Sequence, residues 1–306
     1  MAMNPAYRFV FLVIVLLSFG AAGSQDRTPV CPRDTDGFAA MQKKVEARDP
    51  VAETELASCY DLGQHVKPNG QESIRWLTEA ADQGYGPAQY ELGRIYLYGR
   101  GVPADYAKAL QWEQKAAEQG DPRAQRDLAF MYERGFGVKA DPAQAAEWNR
   151  KAAAQGHPEA QTQLARALDE GDGVAKNPSE ARQWYAKAAS QHDPAAQLEL
   201  ARKLAAEPNC AEAIHWYKEA ATNGQPVAMY ELGGLYQSAK CGARKDHAFT
   251  WFTIGARFGS VESKAEAEKL EGTLTSAEKK QAHLNAEQWI KKHPGADEKE
   301  DEEEKR

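Results

Sequence analysis

Trp112, Trp148 and Trp184 stand 36 residues apart, Leu92, Leu128 and Leu164 keep the same interval, and so do the pairs Ala116-Ala117, Ala152-Ala153 and Ala188-Ala189. A fixed period of this size restricts the chain to stacked units, each too small to bury its own apolar face. A solenoid lengthens without the size ceiling of a single core, so the 306 residues read as one elongated domain.

Each unit reads as two helices. Ala88, Leu92, Gly93 and Tyr96 fall on one face of a first helix, A. Gly99-Arg100-Gly101-Val102 ends it, because glycine accepts the positive φ of a helix C-terminus. Asp105 caps a second helix, B, whose buried face carries Ala109, Trp112, Ala116 and Ala117, with the tryptophan filling the space between units. Gly120 closes helix B and Asp121-Pro122 turns the chain into the next helix A. Asp141-Pro142-Ala143-Gln144 and Asn177-Pro178-Ser179-Glu180 each place an N-cap, a proline at N1 and a capping-box partner at N3.

The order Ala, Leu-Gly, Tyr, Gly-x-Gly-Val, Asp, Ala, Trp, Ala-Ala, Gly resembles the Sel-1-like repeat, a relative of the tetratricopeptide repeat with a longer A to B loop. The resemblance covers residues 52–262 as six units, 52–87, 88–123, 124–159, 160–195, 196–227 and 228–262. It implies an all-α, right-handed solenoid of stacked antiparallel helix pairs that serves as a protein-binding scaffold or adaptor. Residues 24–51 read as an extension with a capping helix from about Asp36 to Arg48, the remnant of a worn helix B. Unit 196–227 lacks the Gly-x-Gly-Val loop; the next places Ser238-Ala239-Lys240-Cys241 there and Arg244 at the cap position. Residues 263–294 read as C-terminal capping helices, with a capping box at Thr275 to Glu278 opening a last helix whose inner side carries Leu284 and Trp289.

Both ends carry compositional signals. Met1 to Gly23 reads as a signal peptide, with Arg8 ahead of the apolar run Phe9 to Leu17 and Ala21-Ala22-Gly23 as the cleavage site. The run falls short of the roughly 20 residues a spanning helix needs, so no membrane span is expected after cleavage. Residues 295–306 form a charged tail with nothing apolar to bury beyond one alanine, expected to be disordered. The tail, with seven acidic and three basic residues, contributes −4 to the net charge of −7, and the mildly acidic remainder argues against a nucleic-acid partner. Bacterial periplasm or secretion follows as the expected location, and a monomer as the expected state.

Four cysteines in an exported chain suggest two disulfides, with three possible connectivities. Cys210 and Cys241 lie on the same edge of adjacent units, while Cys31 precedes the N-terminal helix and Cys59 sits on the first helix A. The expected pairs are therefore Cys31–Cys59 and Cys210–Cys241.

Catalytic constellations are thin, and the chain is expected to be non-enzymatic, with no cofactor and no metal. Ser276-Ala277-Glu278-Lys279 matches Ser-x-x-Lys, the nucleophile motif of penicillin-recognising enzymes, and some cysteine-rich members of the repeat family have been proposed to act on penicillins. An envelope hydrolase or penicillin-binding activity is thus the competing function, but neither Ser-Asp-Asn nor Lys-Thr-Gly accompanies the motif. His157 and His192 occupy consecutive B to A turns without a carboxylate or cysteine at ligand spacing, and read as solvated turn residues.

The partner-binding face is sought on helix A. Tyr90, Arg94, Leu97 and Tyr98 form a stripe opposite Leu92, Gly93 and Tyr96, and matching positions in tetratricopeptide relatives line the concave surface. Through the array the stripe adds Arg126 and Tyr230 in the Tyr90 column, and Phe130, Arg166 and Arg202 in the Arg94 column. Aromatics and arginines are enriched at interface hot spots, so the expected partner is a protein or peptide carrying carboxylates. The competing reading is a solvated face on which Glu133, Asp169 and Glu170 pair with these arginines.

Overall fold

The structure, a computed structural model, describes residues 30–207 and 210–293. The proposed leader at residues 1–23 and the charged tail at 295–306 lie outside these. Secondary structure among the described residues is helical, and the contacts divide the chain at Ala140 into two compact units.

The first unit contains α1 (Thr35–Glu46), α2 (Pro50–Leu62), α3 (Gly70–Asp82), α4 (Gly86–Tyr98), α5 (Tyr106–Glu118) and α6 (Pro122–Arg134). Consecutive helices pack together throughout it, so that α4 is held between α3 and α5. Most helices are 13 residues long, and their ends follow the local chemistry. Asp49 and Asp121 cap α2 and α6, while Asp105 accepts from the Lys108 amide to cap α5. Gly99 and Gly135 end α4 and α6 at positive φ, 67° and 71°. Helix A thus opens at Gly86 or a proline, two residues before Ala88 and its equivalents.

Helix α1 covers the apolar start of the unit: Met41 is buried with Ala52, Leu56, Cys31 and Cys59. Cys31 and Cys59 are bonded, their Cα atoms 4.8 Å apart.

The second unit contains α7 (Pro142–Ala154), α8 (Pro158–Glu170), α9 (Pro178–Ser190), α10 (Pro194–Ala205), α11 (Cys210–Thr222), α12 (Pro226–Gln237), α13 (Lys245–Arg257), α14 (Val261–Glu271) and α15 (Ser276–Lys292). One continuous core runs from Ala152 to Ala286. Asp141 and Asn177 cap α7 and α9 as expected. Among the described residues the reciprocal box forms at α15, where Thr275 N donates to Glu278 Oε2 at 2.7 Å and Glu278 N to Thr275 Oγ1 at 3.3 Å. His157 is the N-cap of α8, its Nδ1 3.4 Å from the Ala160 amide, rather than a merely solvated turn residue.

The two irregular repeats keep the helix pair and change the connection. A 3₁₀ turn at Ala239–Cys241 replaces the glycine loop, and Cys241 is bonded to Cys210 with Cα atoms 5.7 Å apart. Lys240 Nζ donates to the Ala205 and Ala206 carbonyls at 2.9 and 2.6 Å, satisfying the C-terminus of α10 with a cation.

Three expectations about faces change. Trp112 and Trp184 are only half-buried, each with a lysine ammonium over its ring: Lys115 at 4.0 Å and Lys187 at 3.8 Å. The residue buried here is the next one, Glu113 or Tyr185, and Glu113 lies against Gly93 of the preceding helix A. Helix A likewise buries more than one stripe, because helices B pack on both sides of it; Tyr90 is 7% exposed and Leu97 is buried with Ala109 and Met131. In α15 the inner face carries Ala282, Ala286, Trp289 and Ile290, at i, i+4, i+7 and i+8, with Trp289 5.5 Å from Trp251; Leu284 falls off that stripe and is 41% exposed.

Buried polar side chains add a second repeating feature. Gln89, Gln125, Gln161 and Gln197 each donate from Nε2 to the carbonyl eight residues earlier, at 3.0, 3.1, 3.1 and 3.4 Å. Gln89, Gln161 and Gln197 accept in turn from an amide at the end of the following helix B: Gln119 to Gln89 at 2.7 Å, Gln191 to Gln161 at 2.9 Å and Asn223 to Gln197 at 2.9 Å. Each of these carbonyls also accepts from the backbone amide three residues on, so the glutamine adds a further hydrogen bond that ties the start of one helix A to the end of the helix B before it.

Candidate interaction face and cleft

In the first unit the expected stripe is an arrangement of cations over aromatic rings. Arg94 lies 5.6 Å from the Tyr90 ring and 5.7 Å from the Tyr98 ring, and Arg100 lies 5.6 Å from Tyr98. Tyr98 is 48% exposed, whereas Tyr90 is covered by Arg123 at 4.4 Å. Burial, then the nearby Asp127 carboxylate, pushes the Tyr90 hydroxyl far above its ordinary range, so it stays neutral. Arg94 makes no ion pair among the described residues. Arg126, by contrast, pairs with the buried carboxylate of its neighbour Asp127.

Phe130 belongs to an aromatic group with Phe136, edge-on at 5.7 Å, and Tyr106, which stacks on Phe136 at 4.5 Å with the planes 6° apart. Arg134 lies over Phe130 at 5.6 Å and within 3.9 Å of Glu133. Glu133 therefore sits beside Arg134 rather than neutralising Arg94.

In the second unit Arg166 is exposed and donates to Gln163 Oε1 at 3.3 Å. Asp169, beside it on α8, pairs instead with Lys203. Arg202 is engaged differently: it contacts Glu231 at 2.6 Å and Glu199 at 2.7 Å, and Tyr217 donates to Glu231 at 3.0 Å. Its hydrogen bond to Glu231 holds its guanidinium protonated beyond the ordinary arginine range. Tyr230 is exposed at the edge of this group, 5.9 Å from Phe252. Of the eight stripe residues, Arg94 and Arg166 are thus the arginines that no carboxylate engages, and Tyr98, Arg166, Arg202 and Tyr230 are exposed.

The same two columns, read one repeat upstream of Tyr90 and Arg94, give Thr54 and Ser58. Here the face is hollow. A cleft of about 330 Å³ lies among α2, α3, α4 and the loop after α4, floored by Ala57, Ile74, Leu77 and Ile95 and flanked by Asp61, Glu91 and Arg100. Sequence reasoning passed over it because the stripe was followed only downstream; the signal was the change from Tyr and Arg to Thr and Ser.

Other candidate chemistry finds structural roles. Ser276 is the first residue of α15, and Lys279 turns toward Glu271 at 3.8 Å. No group of three or more His, Cys, Asp or Glu among the described residues is placed to hold a metal, and none of the described helices is long and apolar enough to cross a membrane.

Comparison with known proteins matches six consecutive segments to the Sel1 repeat: residues 50–85, 86–121, 122–157, 158–193, 194–225 and 226–257. A protective antigen of uropathogenic Escherichia coli strains with an SLR fold is 30% identical at a TM-score of 0.74, over 86% of this chain and 57% of that one. The present chain therefore spans little more than half the length of that relative. A Sel1 repeat protein of Oxalobacter formigenes is also 30% identical, at a TM-score of 0.63, over 72% of this chain and 90% of its own. The comparison with curated proteins finds no match.

Proposed function

The chain belongs to the Sel1 repeat family, whose members are protein-interaction modules, and we propose on that premise that it is an exported, non-enzymatic scaffold that binds a protein or peptide along the helix-A face. The observation that carries this reading is Arg94: a guanidinium without a carboxylate partner, held over two tyrosine rings of which Tyr98 is exposed. Such a group presents oriented donors and an amphipathic surface, the combination found at interface hot spots. It fits a partner carboxylate, with Arg166 offering the same chemistry in the second unit. Two disulfides support residence outside a reducing compartment. The ion cluster of Arg202 is read as structural support for the face, since breaking it to bind a ligand would cost its existing hydrogen bonds.

The test is to capture a partner from envelope extract and compare Arg94→Ala plus Arg166→Ala with Lys115→Ala on helix B. Loss of binding confined to the arginine pair, with melting unchanged, supports the face; equal capture by both variants overturns it.

A further inference from the structure

The cleft in the first unit exists because two repeating contacts fail there. In the later repeats the second loop glycine is pressed against the opening turn of the previous helix B. A Cβ on Gly137 would lie 2.3 Å from the Tyr106 carbonyl oxygen, and one on Gly173 would lie 2.2 Å from that of Pro142. Gly101 occupies the same register opposite Gly70, yet a Cβ there would meet nothing within 4 Å. On the facing helix, Thr54 and Ser58 stand where the next repeat has Tyr90 and Arg94, so nothing large covers the gap. The result is an open space with a hydrocarbon floor and charged walls.

Its size and charge narrow the occupant. A volume of about 330 Å³ is at the bottom of the range for small-molecule sites and suits one or two amino-acid side chains. Two carboxylates, Asp61 and Glu91, border it against one cation, Arg100, which is held over the Tyr98 ring. Ile74, Leu77 and Ile95 supply the apolar surface that the methylene stem of a long basic side chain covers while its head stays near carboxylates and water. We propose that this cleft receives a lysine or arginine side chain of a bound peptide, the stem on Ile74, Leu77 and Ile95 and the charged head beside Asp61. The assignment rests on the scaffold reading and adds to it a subsite of opposite preference to Arg94: the partner would carry an acidic residue and a basic residue for neighbouring repeats.

The experiment titrates the full chain with acetyl-Gly-Lys-Gly-amide and its arginine, norleucine and glutamate counterparts, following the methyl resonances of Ile74 and Ile95. Saturable shifts with either basic peptide, at least about fivefold tighter than with norleucine, are expected for an ion pair at a partly exposed site. Asp61→Asn should weaken the basic peptides by about the same factor without moving the norleucine response. Ser58→Leu, which fills the space, should abolish all shifts. Equal binding of norleucine, preference for glutamate, absence of shifts at both isoleucines, or indifference to Asp61→Asn would each overturn the proposal. Because the partner test uses Arg94 and Arg166, failure here with that binding intact removes the subsite and leaves the scaffold.

Discussion

Glu113 is packed against Gly93 so closely that a Cβ on the glycine would lie 2.5 Å from Oε1. The carboxyl is fully buried and neither oxygen has a hydrogen-bond partner. Burial, reinforced by Asp127 and Asp121, holds it well above the ordinary glutamate value of 4.5.

The buried acid makes stability depend on pH in a known direction. The folded state keeps the proton while the unfolded state loses it, so stability falls as pH rises from about 4.5 toward the raised pKa of Glu113. Glu113→Gln should remove this part of the slope, gaining more over the parent at about pH 8 than at about pH 4 in urea unfolding. Glu113→Leu, the residue found one repeat earlier as Leu77, should stabilise by about 1 to 3 kcal/mol at neutral pH by removing an unsatisfied buried group. Equal slopes for parent and Gln variant would show that the carboxyl is solvated.

The buried glutamines predict a cost that a polar-to-small change on a surface would not have. Gln161→Ala should destabilise by about 0.5 to 1.5 kcal/mol, because the Ala153 carbonyl loses one of its hydrogen bonds, keeping that from the Gly156 amide, and the Gln191 amide loses its acceptor. Gln163→Ala, on the same helix, should stay within about 0.5 kcal/mol. Chemical denaturation of the two variants checks the difference.

Neighbouring aromatics on α9 should separate the filling residue from the covering one. Tyr185→Ala removes a buried side chain and should cost about 3 to 5 kcal/mol. Trp184→Ala removes a larger but half-buried ring, together with its hydrogen bond to Glu180 at 3.2 Å and its contact with Lys187, and should cost about 1 to 3 kcal/mol. Thermal melts in which the tryptophan change is the more damaging would reverse this assignment.

Each disulfide closes a similar loop, with sequence separations of 28 and 31. The chain-entropy model gives about 3 to 4 kcal/mol for each. Cys210→Ala plus Cys241→Ala should lower stability by about that amount and make the variant indifferent to reductant at this site. Non-reducing peptide mapping of the parent should recover Cys31 with Cys59 and Cys210 with Cys241.

Much of the architecture was legible in the chain itself. The interval between Trp112, Trp148 and Trp184 marks the repeat, Asp105, Asp141 and Asn177 mark helix starts, and Gly99 marks a stop. These signals are local: a cap or a positive φ is decided within one turn of helix. The cysteine pairs were also readable, since Cys210 and Cys241 fall on the same edge of adjacent units and that leaves Cys31, ahead of the first helix, for Cys59.

Which faces are buried was decided by the tertiary structure. A helix held between two others buries a wider arc than one apolar stripe implies, so Tyr90 went inside and Trp112 was left half-covered by Lys115. The glutamine ladder has the right spacing in the sequence, but only packing shows that it ties each helix A to carbonyls at the end of the helix B before it. Whether an arginine is free or engaged depended on a carboxylate one repeat away, as Glu231 is for Arg202. The cleft depended on a contact that Gly101 does not make and Gly137 does. Period, caps and cysteine register are properties of a segment and were set by the sequence alone; burial, ion pairing and empty space are properties of neighbouring segments and arise only when the helices are packed.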